Sequence, residues 1–315
     1  MNKLNVAVLF GGQSQERAIS VISGTEVVKN LNKKKYNVFP VKIEKDGIIW
    51  KYKNKRTSDY YALLHGLKID IVFIAMHGPF GEDGTIQGLL ELIGLKYTGS
   101  GILASSLAIN KIYSKQLFTQ VRLTVPKGFH LTKGQPIPKK LEYPLFVKPF
   151  NQGSSIGTSK VTNSKGLEKA FKNAFSYSDK ILVEEFIAGV EVTCAILGNN
   201  SPMVLPLVEI VPRYEYFDFK SKYDPKRVQE ICPARINDKL TKKVQQAAVA
   251  AYKVLGCRSL GRVDMIIKNN QVFVLEMQTI PGLTPLSLLP KAALAAGIDY
   301  PKLLDKIIEY SFNDK

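Results

Sequence analysis

Apolar residues along this chain fall into short runs and helical stripes that alternate from the start. Val6 to Phe10 is an apolar run closed by Gly11-Gly12, the pattern of a buried strand meeting a tight turn. Ile19, Ile22, Val28 and Leu31 then recur at helical spacing and predict an amphipathic helix with these residues on one side. Strands are predicted at Val38 to Ile43 and Ile69 to Met76, and a helix at Thr85 to Ile93. Such alternation implies an α/β layer with a mainly parallel sheet.

Beyond residue 100 the rhythm changes. Ser105 to Val121 reads as one helix, stopped by Thr124-Val125-Pro126, and Pro136-Ile137-Pro138 marks a loop before a strand at Leu145 to Lys148. A Gly-rich loop, a strand, a helix and another strand lead to Ile187. The rest carries strands at Val192 to Leu197, Val204 to Ile210, Gly261 to Ile267 and Val272 to Met277, with helices at Thr241 to Leu255 and Tyr300 to Tyr310. Boundaries are placed near residues 100 and 185.

Composition narrows the function classes. The chain has 315 residues, 45% hydrophobic and 23% charged, ample for a globular fold of two or three domains. The apolar run at Asn5 to Phe10 is too short for a signal-peptide core or a membrane span, and no stretch approaches twenty apolar residues, so a cytoplasmic protein is expected. Three scattered cysteines suit a reducing compartment, and three histidines without H-E-x-x-H spacing argue against a histidine zinc site. The formal charge of +17 comes from lysines spread along the chain rather than one stripe. It suits attraction of a small polyanion better than nucleic-acid binding, which is not expected.

Three segments carry candidate chemistry. Lys148-Pro149-Phe150-Asn151-Gln152-Gly153-Ser154-Ser155-Ile156-Gly157 ends a strand in a lysine and continues into a glycine- and serine-rich loop. Glycines admit close approach of amides to phosphate and lysine supplies charge, although a polar hairpin turn has the same composition. Arg262 and Asp264 share one face of a strand, and Glu276 and Gln278 one face of its expected hairpin partner. Carboxylates so placed can share metal ions, or can be surface cross-strand charges. Glu16, in Gly11-Gly12-Gln13-Ser14-Gln15-Glu16-Arg17, opens the first helix at the sheet edge where α/β folds gather ligands, or simply complements the helix dipole.

In order, these segments resemble the D-alanine–D-alanine ligases of the ATP-grasp superfamily. The likeness includes A-x-H-G-x-x-G-E-D-G at Ala75 to Gly84, Y-T-G-S-G at Tyr97 to Gly101, V-K-P at Val147 to Pro149 and G-S-S-x-G at Gly153 to Gly157. V-E-E-F-I at Val183 to Ile187, G-x-x-x-x-G-R-x-D at Gly256 to Asp264 and P-G-x-T at Pro281 to Thr284 complete it. The resemblance implies an α/β chain: a Rossmann-like N-terminal substrate domain over 1–100, then an α+β ATP-grasp fold with a central subdomain over 101–185 and a C-terminal subdomain over 186–315.

It implies an ATP-dependent ligase that makes D-alanyl-D-alanine through a D-alanyl phosphate for peptidoglycan precursors, with ATP, two magnesium (or manganese) ions and a homodimer. Lys111 and Lys148 are then phosphate contacts beneath the loop of Gly153 and Ser155, while Glu184, Glu185, Ile187 and Glu191 meet adenosine. Asp264, Glu276 and Gln278 are the metal ligands. Glu16 receives the ammonium of the first D-alanine beside His77, and Ser154 and Tyr223 hydrogen-bond with that glutamate. Arg262 and the Gly282 amide stabilise the tetrahedral oxyanion, and Ser287 with the Leu288 amide takes the second D-alanine. Tyr214 to Glu230, with Lys222-Tyr223, is the candidate lid. Two positions depart from the family: Gln278 stands where asparagine is usual, and Gln152 where an acidic residue precedes G-S-S. A D-serine or D-lactate acceptor, or a catalytically weak nucleotide-binding relative, are the alternatives.

Overall fold

The computed structural model describes residues 3–138, 140–212 and 228–312. The candidate lid, apart from its last three residues, and with it Lys222 and Tyr223, lies outside them. Among the described residues no helix is long and apolar enough to cross a membrane.

The N-terminal sheet runs in the order β4-β3-β2-β1-β5-β6. Its strands are β1 (Leu4–Gly11), β2 (Tyr36–Ile43), β3 (Trp50–Tyr52), β4 (Lys55–Thr57), β5 (Ile71–Ile74) and β6 (Lys96–Tyr97). β1 pairs in parallel with β2 and β5, as the alternation predicts, while β3 and β4 add an antiparallel edge. Helices α1 (Arg17–Asn30), α2 (Tyr60–Gly66) and α3 (Thr85–Leu92) accompany this sheet.

The face of α1 matches the expected one at Val28 and Leu31, which join the core, and differs before them. It buries Ser20, Ser23, Gly24 and Val27, whereas Ile22 is 50% exposed. Close approach explains the difference: a Cβ on Gly24 would lie 2.3 Å from the Phe10 side chain. Ser20 then accepts from the Gly11 amide at 2.8 Å and donates to the Ala75 carbonyl at 2.7 Å, tying the helix to the ends of the central strands.

The predicted helix at Ser105 to Val121 is two helices, α4 (Ile102–Ile109) and α5 (Lys111–Gln120). Asn110 breaks it, because its extended backbone frees the side chain to cap the amides of Ile112 and Tyr113 at 3.2 Å. A second sheet follows in the order β7-β10-β8-β9, from β7 (Gly128–Thr132), β8 (Leu145–Pro149), β9 (Ser159–Val161) and β10 (Lys180–Glu185). Helix α6 (Leu167–Phe175) covers the face bearing Val147, Ile181 and Val183, which leaves Lys148 and Glu184 on the opposite face.

The third sheet orders β14-β13-β11-β15-β16, with β12 beside β11. Its strands are β11 (Val190–Leu197), β12 (Met203–Val204), β13 (Val208–Pro212), β14 (Val228–Ile231), β15 (Leu260–Lys268) and β16 (Gln271–Gln278). The strand expected at Val204 to Ile210 is therefore two, β12 and β13. Helix α7 (Asp238–Val254) packs with α4 and α5 on the face that carries Val192, Cys194, Val263, Met265 and Met277. Helices α8 (Leu288–Ala295) and α9 (Tyr300–Phe312) return to the first sheet, and one apolar core joins Val6, Val8 and Phe73 to Leu289, Leu304 and Ile308.

Candidate active site

Edges of all three sheets converge on a cavity of about 690 Å³ lined by both acidic and basic side chains. Glu16, at the N-terminus of α1, is only 5% exposed. Its Oε1 accepts a hydrogen bond from the Ser154 hydroxyl, and its Oε2 has no hydrogen-bond partner among the described residues. A buried carboxylate oxygen without a donor is costly, and a cationic ligand group is the chemistry that would repair it. Space around that oxygen is kept by two glycines: a Cβ on Gly153 would sit 2.6 Å from it and one on Gly78 2.7 Å.

Ser154 reaches Glu16 because the β8–β9 connection is a hairpin whose turn runs through Ser154 and Ser155 at φ 50° and 57°, closed by the Ile156 amide on the Gly153 carbonyl at 3.0 Å. Two consecutive non-glycine residues in the left-handed region cost about 1–2 kcal/mol each. A type I′ hairpin turn requires this pair, as Asn269 and Asn270 show between β15 and β16. The hairpin-turn reading of the loop holds, and the turn delivers a hydroxyl into the site.

His77 lies beside Glu16. Its Nε2 meets the Ser23 hydroxyl at 2.9 Å, and its Nδ1 faces the Ile280 carbonyl at 3.2 Å and the Glu82 carboxylate at 3.5 Å. Burial works against the imidazolium, but Glu82 and Glu16 outweigh it and raise the pKa. Burial likewise drives the Glu82 carboxyl upward. Glu82 was not singled out from the sequence, although it sits inside the Ala75 to Gly84 motif.

The opposite wall is cationic and acidic in alternation. Arg262 and Asp264 share one face of β15, and the Arg262 guanidinium binds Asp264 with two hydrogen bonds of 2.9 and 2.8 Å. Thr193 on β11 donates to the same carboxylate at 2.6 Å. The β15–β16 register sets Asp264 opposite Glu276 and Arg262 opposite Gln278, and a bulge beyond Asp264 leaves Leu275 unpaired. Gln278 donates to Glu276 at 3.0 Å, and Lys111 approaches Glu276 at 3.1 Å. Lys111 also donates to the Gln152 carbonyl at 2.7 Å, which ties α5 to the hairpin.

Asp264, Glu276 and the Gln278 amide oxygen form a hard-oxygen set of the type that suits magnesium. Each carboxylate here already faces a cationic side chain, so the residues fit a group of positive charge. Among the described residues no group of three or more His, Cys, Asp or Glu side chains is placed to hold a metal ion, so any set here has two carboxylates and an amide.

Glu184 forms a second centre. Its two oxygens take Lys115 at 2.6 Å and Lys148 at 2.7 Å. Burial opposes its charge, but the two ammonium groups outweigh it and hold the carboxyl below the usual range. Burial pushes Lys115 down to about 8 against the pull of Glu184. Lys115 was missed, and helical spacing was the available signal, since it lies one turn from Lys111 on α5. Glu191 shares the face of Thr193 by alternation along β11, and Ile187 is buried just beyond β10. Glu185 is not brought to this face: its carboxylate accepts from the Lys127 amide at 2.8 Å.

The third wall is the turn into α8. Ser287 precedes the helix, and its hydroxyl meets the Thr284 hydroxyl at 2.8 Å and the Thr284 amide at 3.2 Å. A Cβ on Gly282 would lie 2.8 Å from that oxygen, so Gly282, Ser287 and Leu288 form one compact rim of the cavity.

Comparisons with known proteins cover nearly the whole chain. The family model for the D-ala D-ala ligase N-terminus matches residues 5–65 and 60–100, and that for the C-terminus matches 121–309. A D-alanine–D-alanine ligase of Syntrophobacter fumaroxidans is 42% identical over 99% of both chains. The ATP-complexed D-alanine–D-alanine ligase of Bacillus anthracis is 33% identical with a TM-score of 0.83, covering 99% of this chain and 98% of that one. The VanG D-Ala:D-Ser ligase of Enterococcus faecalis is 32% identical with a TM-score of 0.85, covering 98% of this chain and all of the other.

Proposed function

Because the chain belongs to the D-alanine–D-alanine ligase family, we infer that it is an ATP-dependent ligase joining two D-alanine molecules through a D-alanyl phosphate, in the supply of peptidoglycan precursors. The carrying observation is the buried Glu16 Oε2, a carboxylate oxygen in want of a cation and walled by two glycines, in a cavity that Lys111 and Arg262 also line.

In this reading the ammonium of the first D-alanine docks on Glu16, with His77 beside it. Ser154, and Tyr223 from outside the described residues, fix that carboxylate. The D-alanine carboxylate must attack a polyanion, so most of the catalysis is positioning and neutralisation of charge. Lys111 and Lys148 serve the phosphates with the Ser155 amide and Gly153. Asp264, Glu276 and Gln278 would hold magnesium, whose charge offsets that of the triphosphate. Lys148 is engaged by Glu184 in the structure, so nucleotide entry exchanges that ion pair for phosphate and frees the Glu184 Oε2 for adenine while Lys115 keeps Oε1, with Ile187 and Glu191 nearby.

The amine of the second D-alanine, held by Ser287 and the Leu288 amide, then attacks the acyl phosphate. Arg262 and the Gly282 amide meet the charge that develops on the carbonyl oxygen, and loss of one such donor typically costs about 10²–10³ in rate. Lys222 and the rest of the 213–227 segment would exclude water, which otherwise hydrolyses the acyl phosphate. A cytoplasmic homodimer belongs to the same proposal.

The test incubates the protein with ATP, magnesium and D-alanine and measures the product mass and the phosphate released. The dipeptide mass with one phosphate per product is expected. Nucleotide turnover without dipeptide, or no turnover at all, removes the assignment.

A further inference from the structure

Lys291 and Glu230 both line the cavity, yet neither has a part in the chemistry above. Lys291 lies on α8 one turn beyond Ser287, and its amide donates to the Ser287 carbonyl at 3.0 Å, so its side chain rises from the same face as the acceptor rim. Its ammonium is ion-paired with the Glu230 carboxylate of β14. Both side chains are partly buried, at 33% and 22% exposure, where bulk water screens a lone charge incompletely. Among the described residues, Glu26 of α1 also lines the cavity.

We propose that the Lys291–Glu230 pair is a charge-neutral wall of the acceptor pocket that directs the carboxylate of the incoming amino acid to Ser287 and the Leu288 amide. The proposal rests on the acceptor role of Ser287 given above. An acceptor D-alanine brings one carboxylate, and the helix N-terminus attracts it with amides and a partial positive charge. An unopposed ammonium one turn away would compete for that carboxylate and hold it out of reach of the acyl phosphate. An unopposed Glu230 carboxylate would repel it. Paired, the two groups cancel and leave the helix N-terminus as the preferred anchor. Lys291 and Glu230 are thus positioning residues, acting through the field at the pocket.

The two single substitutions therefore fail in opposite ways. Lys291→Met leaves Glu230 alone and raises the acceptor KM about tenfold, with kcat and the ATP KM within about twofold of the parent. Glu230→Gln leaves the ammonium alone, captures the acceptor unproductively, and lowers kcat about tenfold with no rise in acceptor KM. The double variant Lys291→Met/Glu230→Gln, uncharged on both sides, returns both constants to within about threefold of the parent. Donor and acceptor constants come from the two phases of D-alanine saturation, with thermal unfolding run alongside to confirm folded protein.

Unchanged constants in both singles, or a double variant as impaired as either single, overturn the proposal. A parallel Ser287→Ala variant separates the two levels. If it raises the acceptor KM while the pair variants do nothing, the wall alone is wrong. If it leaves that KM unmoved, the acceptor role of Ser287 is wrong.

Discussion

At residue scale, the site depends on a few side chains whose surroundings leave no slack. Gly153→Ala puts a methyl group 2.6 Å from Glu16 Oε2, so the carboxylate must move from the donor position. A misplacement of about 1 Å typically costs about 10²-fold, and kcat/KM for D-alanine should fall by that order in a steady-state assay. Lys115 supplies a pH dependence. Its ammonium is present below about 8 and lost above it, among Glu184, Lys148 and Glu276. Above that pH, Glu184 keeps Lys148 as its one cation, and Lys148 is held back from the phosphates. The ATP KM should rise through about pH 8, and Lys115→Met should abolish that rise; a rise that survives the substitution refutes the link. Gln278→Asn should lower the magnesium concentration for half-maximal rate, since the shorter amide sits where the family usually places one. An unchanged requirement counts against Gln278 as a ligand. Alternation along β15 and β16 made the Asp264–Glu276 pair legible in the sequence, because strand periodicity is local. Glu82 and Lys115 escaped, because their importance comes from the partners that folding brings to them.

At the scale of elements, sequence periodicity located most strands but misread part of the α1 face, the break at Asn110 and the presence of α8. The expected stripe on α1 holds at Val28 and Leu31, whereas the helix also buries Ser20, Ser23, Gly24 and Val27, which suit close approach and hydrogen bonds to strand ends. Ile19 and Ile22 line the cavity instead. Gly24→Val should therefore destabilise the fold by about 1–3 kcal/mol through overpacking against Phe10, measured by denaturant unfolding. A neutral result would mean the helix can shift outward freely. Asn110 split a predicted helix because its side chain competes for backbone amides. Helix α8 went unnoticed because prolines at 281, 285 and 290 suggest a loop, yet Pro290 falls in the first turn, where no intrahelical donor is needed.

At the scale of the whole molecule, α9 completes the core of the first sheet. Leu303, Leu304, Ile307 and Ile308 join Val6, Val8, Ile71 and Phe73 in one apolar cluster, and Lys35 reaches Asp305 at 2.7 Å across the same junction. Leu304→Ala should cost about 2–5 kcal/mol. The chain has a single tryptophan, Trp50, on β3 of the first sheet, so its fluorescence should report the loss although it lies far along the chain from the substitution. An unshifted Trp50 transition would separate the sheet from α9 energetically. The alternating pattern of the first hundred residues announced a parallel sheet; that its core is finished by the last helix could not be seen, because local patterns carry no information on contacts so distant in sequence.

That shared core also bears on how the protein is made. A ribosome delivers β1 and β5 long before α9, so the opening sheet must wait with one face uncovered while most of the polypeptide is still being synthesised. Stalled nascent chains ending before residue 288 should remain open to protease within the first sheet. Chains long enough for α9 to clear the exit tunnel should become resistant.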